Sequence, residues 1–276
     1  MGKSTKDQRD HFYRQGKQEG YRARSAYKLL QLDEHYGLFG RDSRSLASVI
    51  AQKKAPSDAL ADALADALGG TLSEKVRAAL PPRHDAPGYV IDLCAAPGSW
   101  SQVLSRLLGT RGACIVAVDL QAMAPLEHVT QVVGDITTEA TAQAVERAFC
   151  EAQRDTPSVR RADLIVCDGA PDVTGIQTLD EYVQSQLLMA AFSMALRMLR
   201  PGGTFLAKVF VQPQSASARL LLAQLRRSFQ HVELAKPSSS RASSAEHFVV
   251  CLGHVQHDTS REAAQQAFLG DLQGYS

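Results

Sequence analysis

The residues that could do chemistry in this chain stand where apolar runs end. Asp92 follows Tyr89-Val90-Ile91 and opens the turn Asp92-Leu93-Cys94-Ala95-Ala96-Pro97-Gly98-Ser99-Trp100. Asp119, Asp135 and Asp168 close three further apolar runs, and Lys208 sits inside Phe205-Leu206-Ala207-Lys208-Val209-Phe210. A strand that ends in an acid, a Gly/Pro turn and then a helix place a ligand at the carboxyl end of a parallel sheet. The G-x-G-x-x-G pattern is absent, and those glycines serve to bring backbone close to a pyrophosphate. The turn therefore suits a ligand without phosphates, and its acid favours one that carries positive charge. A lysine inside an apolar strand is hard to place unless its amine is used.

Alternating periodicity supplies the elements that position these residues. From residue 87 onward the sequence predicts strands at 89–94, 114–120, 129–135, 162–168, 204–210, 231–236 and 247–252. Helices are predicted at 100–108, 138–153, 179–199 and 216–228. Such alternation implies a doubly wound α/β sheet. The helix at 179–199 is apolar on most faces and should lie against the sheet, until Pro201-Gly202-Gly203 stops it. The last two strands are joined by Pro237 to Ala245, too short for a crossover helix, so they should be antiparallel. Before the first strand, residues 58–70 form an Ala/Leu/Asp run with Leu60, Leu64 and Leu68 recurring every four residues. We read residues 41–86 as a helical low-complexity insertion, with a partner-docking helix as the alternative to a surface elaboration.

Four charged residues sharpen the reading: Lys28 in Arg24-Ser25-Ala26-Tyr27-Lys28, Asp168 before Gly169-Ala170-Pro171, Lys208, and Glu246 in Ser243-Ser244-Ala245-Glu246-His247-Phe248. With the Asp92–Trp100 turn, they resemble the Lys-Asp-Lys-Glu tetrad of the FtsJ/RrmJ family of RNA 2′-O-ribose methyltransferases. The resemblance covers residues 1–40 and about 87–255. The runs Gln31-Leu32-Asp33-Glu34, Val118–Pro125 and Asp168–Gly175 look like the branch that modifies the tRNA anticodon loop. One departure is Val211-Gln212-Pro213-Gln214, where that branch usually carries basic residues near a glycine.

The resemblance implies a Rossmann-like methyltransferase dependent on S-adenosylmethionine, with a seven-stranded, mostly parallel sheet whose last strand is antiparallel. Its implied divisions are a basic RNA-binding segment at 1–40, the insertion at 41–86, the methyltransferase domain at 87–255 and a tail at 256–276. Lys28, Asp168, Lys208 and Glu246 become the catalytic set. Lys208 would accept the 2′-proton, since desolvation and the neighbouring Lys28 both favour a neutral amine, while Asp168 and Glu246 oppose it and orient the lysines. Gly98 and Trp100 would line the methionine end of the donor through backbone. Asp119, about 20 residues past the glycine turn, would hold the ribose, and Asp135 the adenine amino group. Asp168 would also border the cofactor.

Composition restricts the partners. Net charge is only +1, but residues 1–28 hold eight Lys/Arg against three acids, a local balance of +5. That suits a phosphate-binding stripe, with Arg22, Arg24 and Arg241 as expected RNA contacts. Five cysteines without a C-x-x-C and eight scattered histidines argue for reduced core thiols and no metal site. No apolar run approaches the ~20 residues of a membrane helix, and the N-terminus lacks an apolar leader, so a cytoplasmic setting is expected. The favoured substrate is tRNA, and the resemblance allows an accessory protein that directs site choice. The alternatives are an rRNA or mRNA-cap 2′-O-methyltransferase, a non-catalytic RNA-binding module and, more weakly, a nucleotide-dependent oxidoreductase.

Overall fold

Strands made of Val, Ile, Leu and Ala bury both faces of a sheet, as a parallel sheet flanked by helices requires. In the computed structural model, which describes residues 14–40, 86–151, 161–170, 177–211, 216–241 and 244–255, seven strands form one sheet. They are β1 (Tyr89–Leu93), β2 (Cys114–Asp119), β3 (Val129–Val133), β4 (Ala162–Cys167), β5 (Leu199–Phe210), β6 (Phe229–Ala235) and β7 (Glu246–His254). Their order is β3-β2-β1-β4-β5-β7-β6. The pairs among β1 to β5 are parallel, and β7 lies antiparallel between β5 and β6. The strand order reverses between β1 and β4, which is where such a sheet opens a crevice for a ligand.

The pleat divides the buried side chains into two cores. On one face Ile91, Leu93, Val116, Val118, Ile165, Phe205 and Ala207 pack with Val145 and Phe149 of one helix (Glu139–Glu151) and with Ala191, Met194 and Met198 of another (Gln177–Met198). On the other face Val90, Ile115, Leu164, Val166, Leu206, Phe248 and Val250 meet two helices, α1 (Ala26–Tyr36) and α2 (Ser99–Leu107). The N-terminal helix α1 is thus part of the domain's second layer: Ala26, Tyr27, Leu29 and Leu32 are buried in that core. Gly37 ends α1 in the left-handed conformation (φ 62°), where its N–H bonds back to Asp33 O at 2.6 Å, a position glycine takes without strain.

Two strands begin two or more residues earlier than the sequence reading places them. β6 starts at Phe229, and β5 starts at Leu199, ahead of the Pro-Gly-Gly stretch. Leu199 pairs with Ala162 and Thr204 with Leu164, so residues 200–203 bulge out of the ladder. Proline and glycine break the regular hydrogen bonding there without ending the strand, because a bulge leaves the extra residues unpaired. The long helix, found at Gln177–Met198, buries one face and leaves Val183, Met189 and Leu196 exposed. Gly40 packs directly on Ala86: a Cβ at 40 would stand 3.2 Å from Ala86 Cα. The chain therefore leaves and re-enters the domain at one place on either side of residues 41–85. Those residues, with 256–276, lie outside the described part.

Candidate active site

The sheet geometry gathers the four tetrad residues on one face. Leu206 belongs to the core beneath α1 and α2, and Lys208, two residues on, points the same way. In the antiparallel ladder Lys208 is paired with Phe248, and Phe210 with Glu246. Asp168 follows β4 immediately at the neighbouring strand end. Helix α1 lies across this face, and in its first turn Lys28 descends to the cluster.

Lys28 Nζ donates to Glu246 Oε2 at 2.8 Å and lies 3.8 Å from Asp168 Oδ1. Lys208 Nζ donates to the backbone carbonyl of Asp168 at 2.6 Å and stands 3.1 Å from Asp168 Oδ1. Asp168 Oδ1 is enclosed and makes no hydrogen bond of good geometry, so it sits between two ammonium groups as an ion-pairing centre. Both lysines are almost wholly buried, at 7% exposure for Lys28 and 9% for Lys208. Considered alone, Lys28 reads as an ordinary exposed helix lysine. The cause of its burial is tertiary: α1 lies on the sheet, and the amine finds two carboxylates from sequence positions far away. Ser240 Oγ donates to Glu246 Oε1 at 2.7 Å. Burial pushes the Glu246 carboxyl up, but the Lys28 charge and hydrogen bond, with Ser240 and Lys208, outweigh it and hold Glu246 below its ordinary value.

The floor and side of the cluster are aromatic and polar. Lys28 Nζ lies 5.7 Å from the centre of the Phe248 ring, which stacks on Trp100 at 5.7 Å. Trp100 Nε1 donates to Ser25 O at 2.8 Å, tying α2 to the start of α1. Gln31, one turn past Lys28, donates from Nε2 to Ser238 Oγ at 2.8 Å and accepts from Ser239 N at 3.0 Å through Oε1. The helix that delivers Lys28 thus also holds the loop before Glu246. Beside Glu246 an open pocket of about 440 Å³ is lined by Arg24, Arg241 and Ser244. Two of the three arginines expected to bind RNA therefore share one polar opening onto the tetrad.

Arg22 is elsewhere. Its guanidinium donates to Pro97 O (2.8 Å), Ala124 O (2.8 Å) and Pro125 O (3.2 Å), and its backbone N–H donates to Gln102 Oε1 at 2.7 Å. These carbonyls belong to the glycine turn after β1 and the loop after β2. Its donors are directed to the turn rather than toward the Arg24–Arg241 opening. Local positive charge around residue 22 could not reveal this, because the carbonyls it satisfies lie 75 and 102 positions away.

On the cofactor side the sequence-predicted residues stand around that turn. Gly98 has φ 102°, a backbone conformation strained for any residue with a side chain, and a Cβ there would displace the Arg22 guanidinium. Asp119 Oδ2 accepts from Ala96 N at 2.8 Å and Oδ1 from Gln121 N at 2.8 Å, which fixes both flanking loops. Asp135 Oδ1 accepts from Thr137 N and Oγ1, and these bonds hold its carboxyl below the ordinary value. Asp92 is fully buried and accepts from Ser101 Oγ at 2.6 Å. Desolvation, with Asp168 and Asp119 nearby, pushes it up to about 7 against the opposing Ser101 bond. The thiol of Cys94 is likewise pushed up, by its bond with Cys167 and by burial, and Cys94, Cys114, Cys167 and Cys251 are free thiols.

The residues present fit S-adenosylmethionine, the cofactor expected from the sequence. Ser99 Oγ is buried beside the turn without a hydrogen-bond partner. Leu120 and Val133, at the ends of β2 and β3, are 70% and 61% exposed and offer apolar surface to a flat base beside Asp119 and Asp135. Among the described residues no group of His, Cys, Asp and Glu could hold a metal ion, and no helix is long and apolar enough to cross a membrane.

Comparison with known proteins agrees with this arrangement. Residues 70–254 match the family described as FtsJ-like methyltransferase. The chain is 44% identical over 255 residues to a human tRNA (cytidine(32)/guanosine(34)-2′-O)-methyltransferase, covering 92% of this chain and 60% of that protein. It is 39% identical over 300 residues to the Schizosaccharomyces pombe protein of the same name, covering 100% of this chain and 86% of that one. The chain thus spans about three fifths of the human relative's length. The crystal structure of a ribosomal RNA methyltransferase from Plasmodium falciparum superposes with a TM-score of 0.59 at 21% identity, over 86% of this chain and 100% of that one, and so shares the fold. With a matching family over most of the chain, the fold and the charged cluster at the strand ends, this chain belongs to the FtsJ-like methyltransferase family.

Proposed function

We propose that this protein transfers a methyl group from S-adenosylmethionine to a ribose 2′-oxygen of tRNA, at nucleotides of the anticodon loop. The observation that carries the reading is the buried Lys28–Asp168–Lys208–Glu246 cluster, which opens beside Arg24 and Arg241. The printed names of the human and fission-yeast relatives support the choice of tRNA. The proposal includes a cytoplasmic setting and an accessory protein that directs site choice, both expectations from the family resemblance.

Bound S-adenosylmethionine supplies a methyl on a sulfonium, so the chemistry is an in-line displacement. The chain must align the 2′-oxygen, accept its proton and exclude water. Alignment is worth up to ~7–11 kcal/mol in well-oriented reactions. Lys208 Nζ, held by the carbonyl and carboxylate of Asp168, reacts as the neutral amine: its lone pair takes the 2′-proton, and the resulting ammonium is ion-paired with Asp168. Lys28 and Glu246 keep that carboxylate and the hydroxyl in place, and Arg24 and Arg241 hold adjacent phosphates.

The test is transfer of a labelled methyl from S-adenosylmethionine to transcribed tRNA, followed by mapping of 2′-O-methyl positions. Incorporation in the anticodon loop is the expected result. Incorporation into an rRNA fragment or a capped transcript and not into tRNA, or RNA binding without transfer, would overturn it.

A further inference from the structure

The tetrad face carries one more residue that the chemistry above leaves unused. Phe210 is the last residue of β5, two beyond Lys208, so the pleat directs both side chains to the same side of the sheet. Across the antiparallel ladder its partner is Glu246, and Lys208 is the partner of Phe248. Two lateral pairs thus make a patch of two charges and two aromatic rings. Phe248 is completely buried beneath Trp100 and Lys28, whereas Phe210 is 41% exposed. A single exposed apolar side chain is ordinary on a protein surface. What distinguishes Phe210 is its place: Lys208 Nζ lies 5.9 Å from the centre of its ring.

That distance has a consequence for any ribose brought to Lys208. To give up its proton, the 2′-oxygen must come within hydrogen-bond reach of Nζ, about 2.6–3.2 Å. The base is attached to the ribose carbon adjacent to the one that bears this oxygen. A 2′-oxygen at Nζ therefore puts the Phe210 ring within reach of the base of the same nucleotide. Proteins read single-stranded RNA loops by splaying bases out and stacking them on aromatic side chains. Such stacking tolerates any sequence, because every base presents a π-face.

Resting on the function proposed above, we propose that Phe210 is the stacking platform for the base of the nucleotide being methylated. The site then selects an unstacked nucleotide of a single-stranded loop and accepts purine and pyrimidine alike. Arg24 and Arg241 fix the backbone, Phe210 fixes the base, and the ribose between them faces Lys208.

The test measures binding and transfer with an anticodon stem-loop RNA and with the same RNA lacking the base at the mapped nucleotide. Phe210→Leu keeps an apolar cover over Lys208 but removes the ring; Phe210→Tyr keeps the ring. A lost base stack is worth ~1–3 kcal/mol, or about 5- to 150-fold in affinity. We expect Phe210→Leu to weaken binding of the intact stem-loop by about tenfold or more. Phe210→Tyr should stay near wild type, and S-adenosylmethionine affinity should not move. With the abasic RNA, wild type and Phe210→Leu should bind alike. An unchanged affinity of Phe210→Leu for the intact RNA overturns the proposal, as does a loss that persists undiminished on the abasic RNA. If Phe210→Leu does not fold, the wild type decides: equal affinity for the intact and abasic RNAs overturns the platform. A wild type that binds the stem-loop without methylating it overturns the reaction assigned above, while the base-dependent binding comparison still stands or falls by itself.

Discussion

The two sides of the crevice, proposed above to hold the acceptor ribose and the methyl donor, are built by different means. On the donor side, Asp119 and Asp135 are satisfied by backbone N–H groups a few residues away, at Gln121 and Thr137, with Ala96 reached across one neighbouring strand end. On the acceptor side, Lys28 reaches Glu246 across 218 positions, and Lys208 reaches Asp168 across 40. Local turns preorganise the first; packing of α1 on the sheet assembles the second. Acids that shape turns tolerate water, whereas buried ammonium groups require partners, because an unpaired buried charge is costly. The difference teaches that the Lys28–Asp168–Lys208–Glu246 cluster is complete only when α1 is docked.

The sharpest break of that comparison is Lys208→Ala. Transfer should fall by at least ~10²-fold, the lower end for loss of a proton acceptor, while S-adenosylmethionine binding, measured by calorimetry, persists. More than about a tenth of wild-type activity would remove Lys208 from that role.

The two sides should also differ in the sign of their pH dependence. Asp92 has its pKa raised from 3.8 to about 7. A raised carboxyl contributes stability below its unfolded value that is lost as pH climbs through the folded one, about 1.4 kcal/mol per unit. Denaturant unfolding from pH 4 to 7 should therefore show Asp92→Asn gaining relative to wild type as pH rises. Glu246 is depressed, so its contribution is present above the ordinary carboxylate range and disappears as pH falls through its folded value. Glu246→Gln should cost on the order of 3 kcal/mol at neutral pH, since it leaves Lys28 with one distant carboxylate, and the cost should shrink on acidification. Parallel pH profiles for the two variants would contradict the difference in their surroundings.

A smaller effect separates the arginines. Arg22→Ala releases the Pro97 and Ala124 carbonyls and should weaken S-adenosylmethionine binding by roughly tenfold, the equivalent of one charge-assisted hydrogen bond, with the salt dependence of RNA binding unaltered. Neutralising Arg24 and Arg241 together should do the reverse: the salt slope falls by up to ~2, one per phosphate contact, and donor affinity stays constant. A changed salt slope for Arg22→Ala would return it to the RNA surface.

The smallest effect is expected from replacing residues 42–85 with a short Gly/Ser linker. Gly40 and Ala86 are already in contact, and each doubling of loop length changes closure by only ~0.6 kcal/mol. The melting temperature and S-adenosylmethionine affinity should be nearly unchanged. An unfolded product would place part of that segment in the core, and a folded product unable to act on RNA would make it a substrate or partner element.

Much of this molecule was legible in one dimension. Strand existence, the β1 turn and the antiparallel end of the sheet follow from short-range patterns of apolar residues, glycine and proline. The two-residue period of a strand places Lys208 and Phe210 on one face, but the run around them is apolar on both faces, so the exposure of the Phe210 ring comes from its place at the strand end and is visible only in the fold. The start of β5 was misjudged because Pro201 and Gly202 signal a stop equally well in a loop and in a bulge. The Lys28, Asp168, Lys208 and Glu246 set was recognisable only through its likeness to a family. Taken singly, the spacing of Lys28 and Glu246 suggests an exposed helix lysine and a strand-start acid. Tertiary structure alone decided that Lys28 is buried and ion-paired, that Arg22 binds the cofactor turn while Arg24 opens onto the tetrad, and that Asp92 is a dry carboxyl. The physical reason is common to all of them. Backbone conformation responds to neighbours a few residues away, whereas the state of a charge depends on which groups and how much water lie within a few ångströms, and only the folded chain sets that.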